Sequence, residues 1–166
     1  MSKFTIYQVF PRLFGNYNTN RIPNGTIEQN GCGKFNSFTT KALNEIKKLG
    51  ISHIWYTGII EHATQTDYTA YNIKKDHPSV VKGKAGSPYA IKDYYDVDPD
   101  LAENVNLRMT EFEDLVKRTH KAELKVIIDF VPNHVSRQYS SDAKRAGVKD
   151  FGENDHPEWH FSTLSN

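Results

Sequence analysis

The sequence predicts an α/β fold built on a parallel sheet, and three observations carry that expectation. Apolar, β-rich runs alternate with segments of helical periodicity in the order strand, helix, strand, long loop, helix, strand, a βαβαβ pattern. The second run, ISHIWYTGI at 51–59, is apolar on both faces, which suits a parallel strand covered on two sides. The third run, KVIIDFV at 125–131, leads to Asn133 and His134, so polar groups come to a strand's C-terminal end, where barrels of this class place their chemistry.

The elements follow in chain order. Residues 4–10, FTIYQVF, are rich in aromatic and β-branched side chains, and Pro11 stops the strand. Residues 15–37 hold many Gly and Asn and read as a loop. Phe38 to Leu49 reads as a helix: Leu43, Ile46 and Leu49 share a face with Ala42 beside them, and lysines cover the other side. Gly50 stands where a helix stop belongs. A long irregular segment then spans about 61–109; structureless loops beyond ~12–15 residues are uncommon and usually functional. Thr110 and Glu113 have capping-box spacing, and Phe112, Leu115, Val116, Thr119 and Ala122 give the next helix its apolar face. After the third strand, 136–166 is polar, with a helical turn expected at Pro157–Trp159. The length fits one domain over 1–166, and no internal repeat appears beyond this unit.

Composition narrows the function classes. The 166 residues are 37% hydrophobic and 25% charged, with 21 basic and 20 acidic groups. A net charge of +1 argues neither for a nucleic-acid partner nor for an acidic substrate. Lys74, Lys75, Lys82 and Lys84 cluster, but they read as a solvated loop rather than a phosphate track. Cys32 is the only cysteine, which excludes an intramolecular disulfide; in its turn-like setting it reads as an incidental small residue. No segment approaches the ~20 apolar residues of a membrane span. The first residues run directly into a strand without signal-peptide features, as expected of a cytoplasmic protein or of an exported one whose signal has been removed. Nothing in the sequence specifies an oligomeric state.

Two clusters could carry chemistry. Asp129, Asn133 and His134 lie on the lip of the third strand, because Pro132 cannot continue a central strand. An acid buried there needs a partner, so the cluster is either a hydrogen-bonded lock for the loop or part of a site. The second cluster is GSPYAIKDYYDVDPDL at 86–101, with Tyr89, Tyr94 and Tyr95 among Asp93, Asp96, Asp98 and Asp100. Aromatic faces stack on the C–H faces of sugars and carboxylates accept sugar hydroxyls; equally, such a loop can be packed by its own tyrosines. Other motifs fall away. HPEWH at 156–160 puts Pro157 where a zinc protease motif needs Glu, and no phosphate-binding glycine loop is present. His53 reads as a satisfied core histidine, and His62 and His77 as loop surface.

With the first strand, these clusters give a family resemblance. IYQVFPRLF, LGISHIWYTGI, the tyrosine segment, DFVPNH and HPEW resemble successive segments of the α-amylase family, glycoside hydrolase family 13, over roughly 4–160. One departure is plain: Thr57 and Gly58 stand where the family usually has a proline after the second strand. The resemblance implies the N-terminal βαβαβ portion of a (β/α)8 barrel that cleaves or transfers α-glucosidic bonds of starch, maltooligosaccharides or related α-glucans with retention. It implies that Tyr89 stacks against the sugar beside the scissile bond and that His134 hydrogen-bonds one of its hydroxyls. It makes Asp129 an architectural acid and Asp93 an acid that orders its loop. Asn133 matches a position that binds a structural calcium in many members. The family's catalytic carboxylates follow strands four, five and seven, so the resemblance implies that none lies in these residues and that they are inactive alone. The alternative is a non-catalytic relative used for carbohydrate binding or as a structural subunit.

Overall fold

In the computed structural model, residues 3–154 are described, and the elements are β1 (Ile6–Val9), α1 (Ile27–Asn30), α2 (Thr40–Lys48), β2 (His53–Tyr56), β3 (Ile60–His62), β4 (Ile91–Val97), α3 (Arg108–Lys121) and β5 (Lys125–Ile128). The three expected strands pair in parallel in the order β1-β2-β5, with Ile6 opposite His53 and His53 opposite Lys125. Two helical crossovers thus place sequential strands side by side, the connection that parallel pairing requires. The expected Pro157–Trp159 turn and the HPEW segment lie outside the described residues.

The sheet has one helix-covered face. Ile54 and Tyr56 point into the layer of α2 and α3 and are fully buried with Phe35, Phe38, Leu43, Leu115 and Leu124. Burial of each such side chain stabilises by roughly 1.5–3 kcal/mol. The Tyr56 hydroxyl shares a 2.7 Å hydrogen bond with Thr119 Oγ1, and its ring meets Phe38 edge-on at 5.0 Å. Trp55 and His53, of opposite parity, face the other side and are half-buried. The His53 ring is satisfied by Ser52 Oγ at 2.8 Å, though it stands at the margin of the core rather than inside it. Phe4, Ile6, Ile128 and Phe130 are exposed along the two edge strands.

Helix α2 begins at Thr39, whose hydroxyl accepts the Ala42 N–H at 3.2 Å. Its apolar face ends at Ile46: Leu49 is 69% exposed because it already belongs to the turn that Gly50, at φ 79°, completes. Helix α3 begins two residues before Thr110, so Thr110 and Glu113 do not form the expected capping box. Glu111, in the first turn, instead reaches back beyond the helix start to accept the Glu103 and Asn104 N–H groups at 2.9 and 2.7 Å.

The segment expected to be irregular is the main departure. β3 and β4 form an antiparallel pair, bulged on either side of Glu61, and short 3-10 turns occupy Thr69–Tyr71, Pro78–Val80, Pro99–Leu101 and Val105–Leu107. Helix α1 likewise sits in the Asn-rich loop, capped by Thr26 and Gln29. Among the described residues no helix is long and apolar enough to cross a membrane.

Candidate functional site

Asp129 is the junction of the sheet's C-terminal lip. It lies just beyond β5 and turns towards β2: its Oδ1 accepts the Trp55 indole N–H at 2.6 Å and its Oδ2 accepts the Gly58 N–H at 3.0 Å. Hydrogen bonds to an ionised acceptor are shorter and stronger than neutral ones. Gly58 explains the missing proline. It holds φ 74°, donates the N–H that a proline lacks, and sits so close to Pro88 that an added Cβ would stand 2.7 Å from Pro88 Cβ. Asp129, Gly58 and Pro88 therefore form a chain of contacts that brings the turn carrying Tyr89 to the lip.

Tyr89 is 42% exposed, and His134 and Asn133 are exposed on the segment that follows β5. That segment docks along β4: Ser136 N donates to Ile91 O at 2.7 Å, and the Tyr94 hydroxyl donates to Val131 O. Asp93 is buried and orders the same region. Its Oδ2 accepts from Ser141 Oγ at 2.6 Å and from Ala143 N at 3.1 Å, while Oδ1 accepts from Tyr95 N at 2.7 Å. Tyr94 packs among Phe130, Tyr139 and Phe151 and is half-buried, which leaves Tyr89 and Tyr95 as the exposed rings of the tyrosine segment.

Calcium needs six to eight oxygen ligands. At Asn133 the amide oxygen is paired with His134 Nδ1 at 2.9 Å, and the three-carboxylate group among the described residues lies elsewhere, at Glu61, Asp96 and Asp142.

The remaining acids of the tyrosine segment are not offered to a ligand, which corrects the expectation that they could accept sugar hydroxyls. Asp98 and Asp100 are buried and bind Arg12 Nη2 at 3.4 and 2.5 Å, while the Tyr68 hydroxyl donates to Asp100 at 2.6 Å. Burial opposes ionisation of Asp100, but Arg12 and Tyr68 outweigh it and hold its carboxyl below the usual range. Burial raises Asp98, and His62 opposes that rise. His62, expected at the surface, is 1% exposed on β3, with Nδ1 3.5 Å from Asp98 and Nε2 3.2 Å from Ala85 O. Beside Arg12, burial pushes the Cys32 thiol up to about 12, which rules against a nucleophile there. Glu61, Asp96 and Arg108 were not singled out in the sequence as a group; burial and then Asp142 push the Glu61 carboxyl up to about 9. A cleft of about 730 Å³ between the Asn-rich loop and residues 65–67 and 84–85 is lined by Asn20, Ile22, Thr26 and Gln65, and by neither Tyr89 nor His134.

The lip has the form of a binding rim at the C-terminal end of parallel strands, and comparison with known proteins gives that form a family. The family Alpha amylase, catalytic domain, matches residues 8–165. Trehalose-6-phosphate hydrolase of Bacillus subtilis is 29% identical over 137 residues, covering 82% of this chain and 18% of the relative. The amino acid transporter heavy chain SLC3A1 of Rattus norvegicus is 27% identical over 164 residues, covering 97% of this chain and 18% of the relative. Among solved structures, an α-amylase from Lactobacillus plantarum superposes with a TM-score of 0.57 at 28% identity, over 98% of this chain and 28% of that one. The chain thus spans about a fifth of the length of these two curated relatives. With nearly its whole length matched and its three parallel strands ordered as in an α-amylase barrel, the chain belongs to the α-amylase catalytic-domain family.

Proposed function

We propose that this chain supplies the first three strands of the barrel of a retaining glycoside hydrolase acting on starch, maltooligosaccharides or related α-glucans, by hydrolysis or glucosyl transfer. One observation carries the reading: Asp129 bonds both Trp55 and Gly58, and so gathers β5, β2 and the Pro88–Tyr89 turn at one lip, with Tyr89 and His134 exposed. In this reading Tyr89 stacks on the sugar beside the scissile bond, His134 hydrogen-bonds one of its hydroxyls, Asp129 braces the strand ends and Asp93 orders the loop. Asn133 would offer its exposed amide oxygen to a structural calcium.

Retaining hydrolysis needs two carboxylates ~5–5.5 Å apart, one to attack the anomeric carbon and one to protonate the leaving oxygen. The carboxylates near these strand ends are committed to structure, Asp129 to Trp55 and Gly58, and Asp98 and Asp100 to Arg12. The nucleophile and the acid therefore come from strands after β5, and residues 1–166 alone are inactive.

A second reading has its own support. The match to an amino acid transporter heavy chain runs along almost the whole chain and fits a non-catalytic α-amylase-like subunit. Proton NMR of maltooligosaccharide cleavage by the protein that carries this chain separates the two. New reducing ends that appear first as the α-anomer support the enzyme. Binding without cleavage supports the subunit, and first release of the β-anomer contradicts retention.

A further inference from the structure

Beyond the end of β5, residues 130–135 make no backbone-to-backbone hydrogen bond among the described residues. Pro132 has no N–H to give, and pairing resumes only at Ser136, whose N–H meets Ile91 O at 2.7 Å. Asn133 and His134 sit exposed inside that span. The 2.9 Å contact between Asn133 Oδ1 and His134 Nδ1 joins two of its own members and ties it to nothing else. The hydrogen bonds that reach the span from outside, among the described residues, come from one group, the Tyr94 hydroxyl on β4. It donates to Val131 O and stands 3.4 Å from His134 O, so it meets the carbonyls on either side of Pro132 and Asn133. The Tyr94 ring is itself held among Phe130, Tyr139 and Phe151, at centroid separations of 6.0, 6.0 and 6.1 Å. A phenylalanine would make the same ring contacts, so the hydroxyl answers to the two carbonyls and not to the packing. Burial pushes its ionisation up, which keeps it a donor.

We propose that Tyr94 is the positioning residue for His134, its hydroxyl fixing through the Val131 and His134 carbonyls where the imidazole meets the sugar. The proposal rests on the reading that His134 hydrogen-bonds a sugar hydroxyl. With Nδ1 on Asn133, the ring is left with Nε2 for that contact, and Nε2 has no hydrogen bond among the described residues. A hydrogen bond of useful strength is confined to a narrow range of distance and angle. A catalytic contact displaced by about 1 Å can cost about a hundredfold in rate. A span without ladder bonds does not hold such a position by itself; a carbonyl pinned at each side of Pro132 and Asn133 does. Strand β4 also begins two residues after Tyr89, so one strand sets both exposed sugar contacts in a fixed relation. Tyr94 thus acts on the sugar through His134 and does not touch it.

The test is a double-mutant cycle of Tyr94→Phe and His134→Ala in the protein that carries this chain, read as kcat/KM on a maltooligosaccharide well below the Tm of every variant. Tyr94→Phe keeps the ring and removes only the hydroxyl. The proposal expects it to lower kcat/KM by about fivefold or more when His134 is present. In the His134→Ala background the same change should leave kcat/KM within about twofold, because the group it positions is gone. A fall of equal size in both backgrounds would mean a general structural role and overturns the proposal. Unchanged kcat/KM in Tyr94→Phe, beside a fall in His134→Ala, overturns it too while His134 stands as a sugar contact. Unchanged kcat/KM in His134→Ala, or no cleavage by the wild-type protein, removes the reading of His134 and this proposal with it.

Discussion

At the lip, Asp129 is half-exposed and both of its oxygens accept hydrogen bonds from the neighbouring strand's end. Under the hairpin, Asp98 and Asp100 are buried against Arg12, and Glu61 is buried with no hydrogen bond at all. Both regions concentrate acids, yet the first keeps polar side chains open to solvent while the second encloses them. The difference separates two uses of charge. A half-exposed acid that only positions its neighbours leaves room for a ligand beside it; a buried acid commits its environment to neutralising it. Function is therefore expected at the lip, and the heavier stability cost of mutation under the hairpin.

The largest effect that would sharpen this contrast is Arg12→Ala. It strips the partner from two buried carboxylates and should destabilise by ~3–5 kcal/mol, read from thermal or urea unfolding. Asp129→Ala should cost less, ~1–3 kcal/mol, since it leaves two neutral donors unpaired rather than two buried charges. If Asp129→Ala proved the more damaging of the two, the division of labour would be reversed. The smallest effect concerns pH. Asp100 has a folded-state carboxyl held below the ordinary 3.8, so its contribution is fully present above that value and is lost as pH falls through the lower folded one. Asp100→Asn should flatten that acid limb in a stability-versus-pH series, and an unaltered limb would contradict the assignment.

The lip was legible in the sequence because it is local: DFVPNH puts a strand end, a proline stop and three polar side chains within six residues. The parallel sheet was legible for the same kind of reason, its strands and helices each carrying a periodic apolar pattern. The hairpin was not. β4 reads IKDYYDV, and its Lys92, Asp93 and Asp96 are buried through partners distant in sequence, among them Asp76, Ser141 and Arg108. No apolar alternation announces such a strand, because charge pairing rather than hydrophobic burial satisfies its inner positions. His62 was misplaced for the same reason: its partner Asp98 lies on the far side of the hairpin. Gly58 shows a middle case, a departure from the family pattern visible in sequence whose cause, the N–H given to Asp129 and the approach of Pro88, needs coordinates.

The most direct test of the lip as a sugar rim is a parallel measurement of kcat/KM on a maltooligosaccharide and of Tm for Tyr89→Ala and His134→Ala in the protein that carries this chain. Both side chains are exposed, so Tm should move by no more than about 2 °C, in line with surface substitutions of ~0.5 kcal/mol. Turnover should fall at least tenfold in each, equivalent to ~1.4 kcal/mol of lost transition-state stabilisation. Unchanged kcat/KM in both variants would contradict the account.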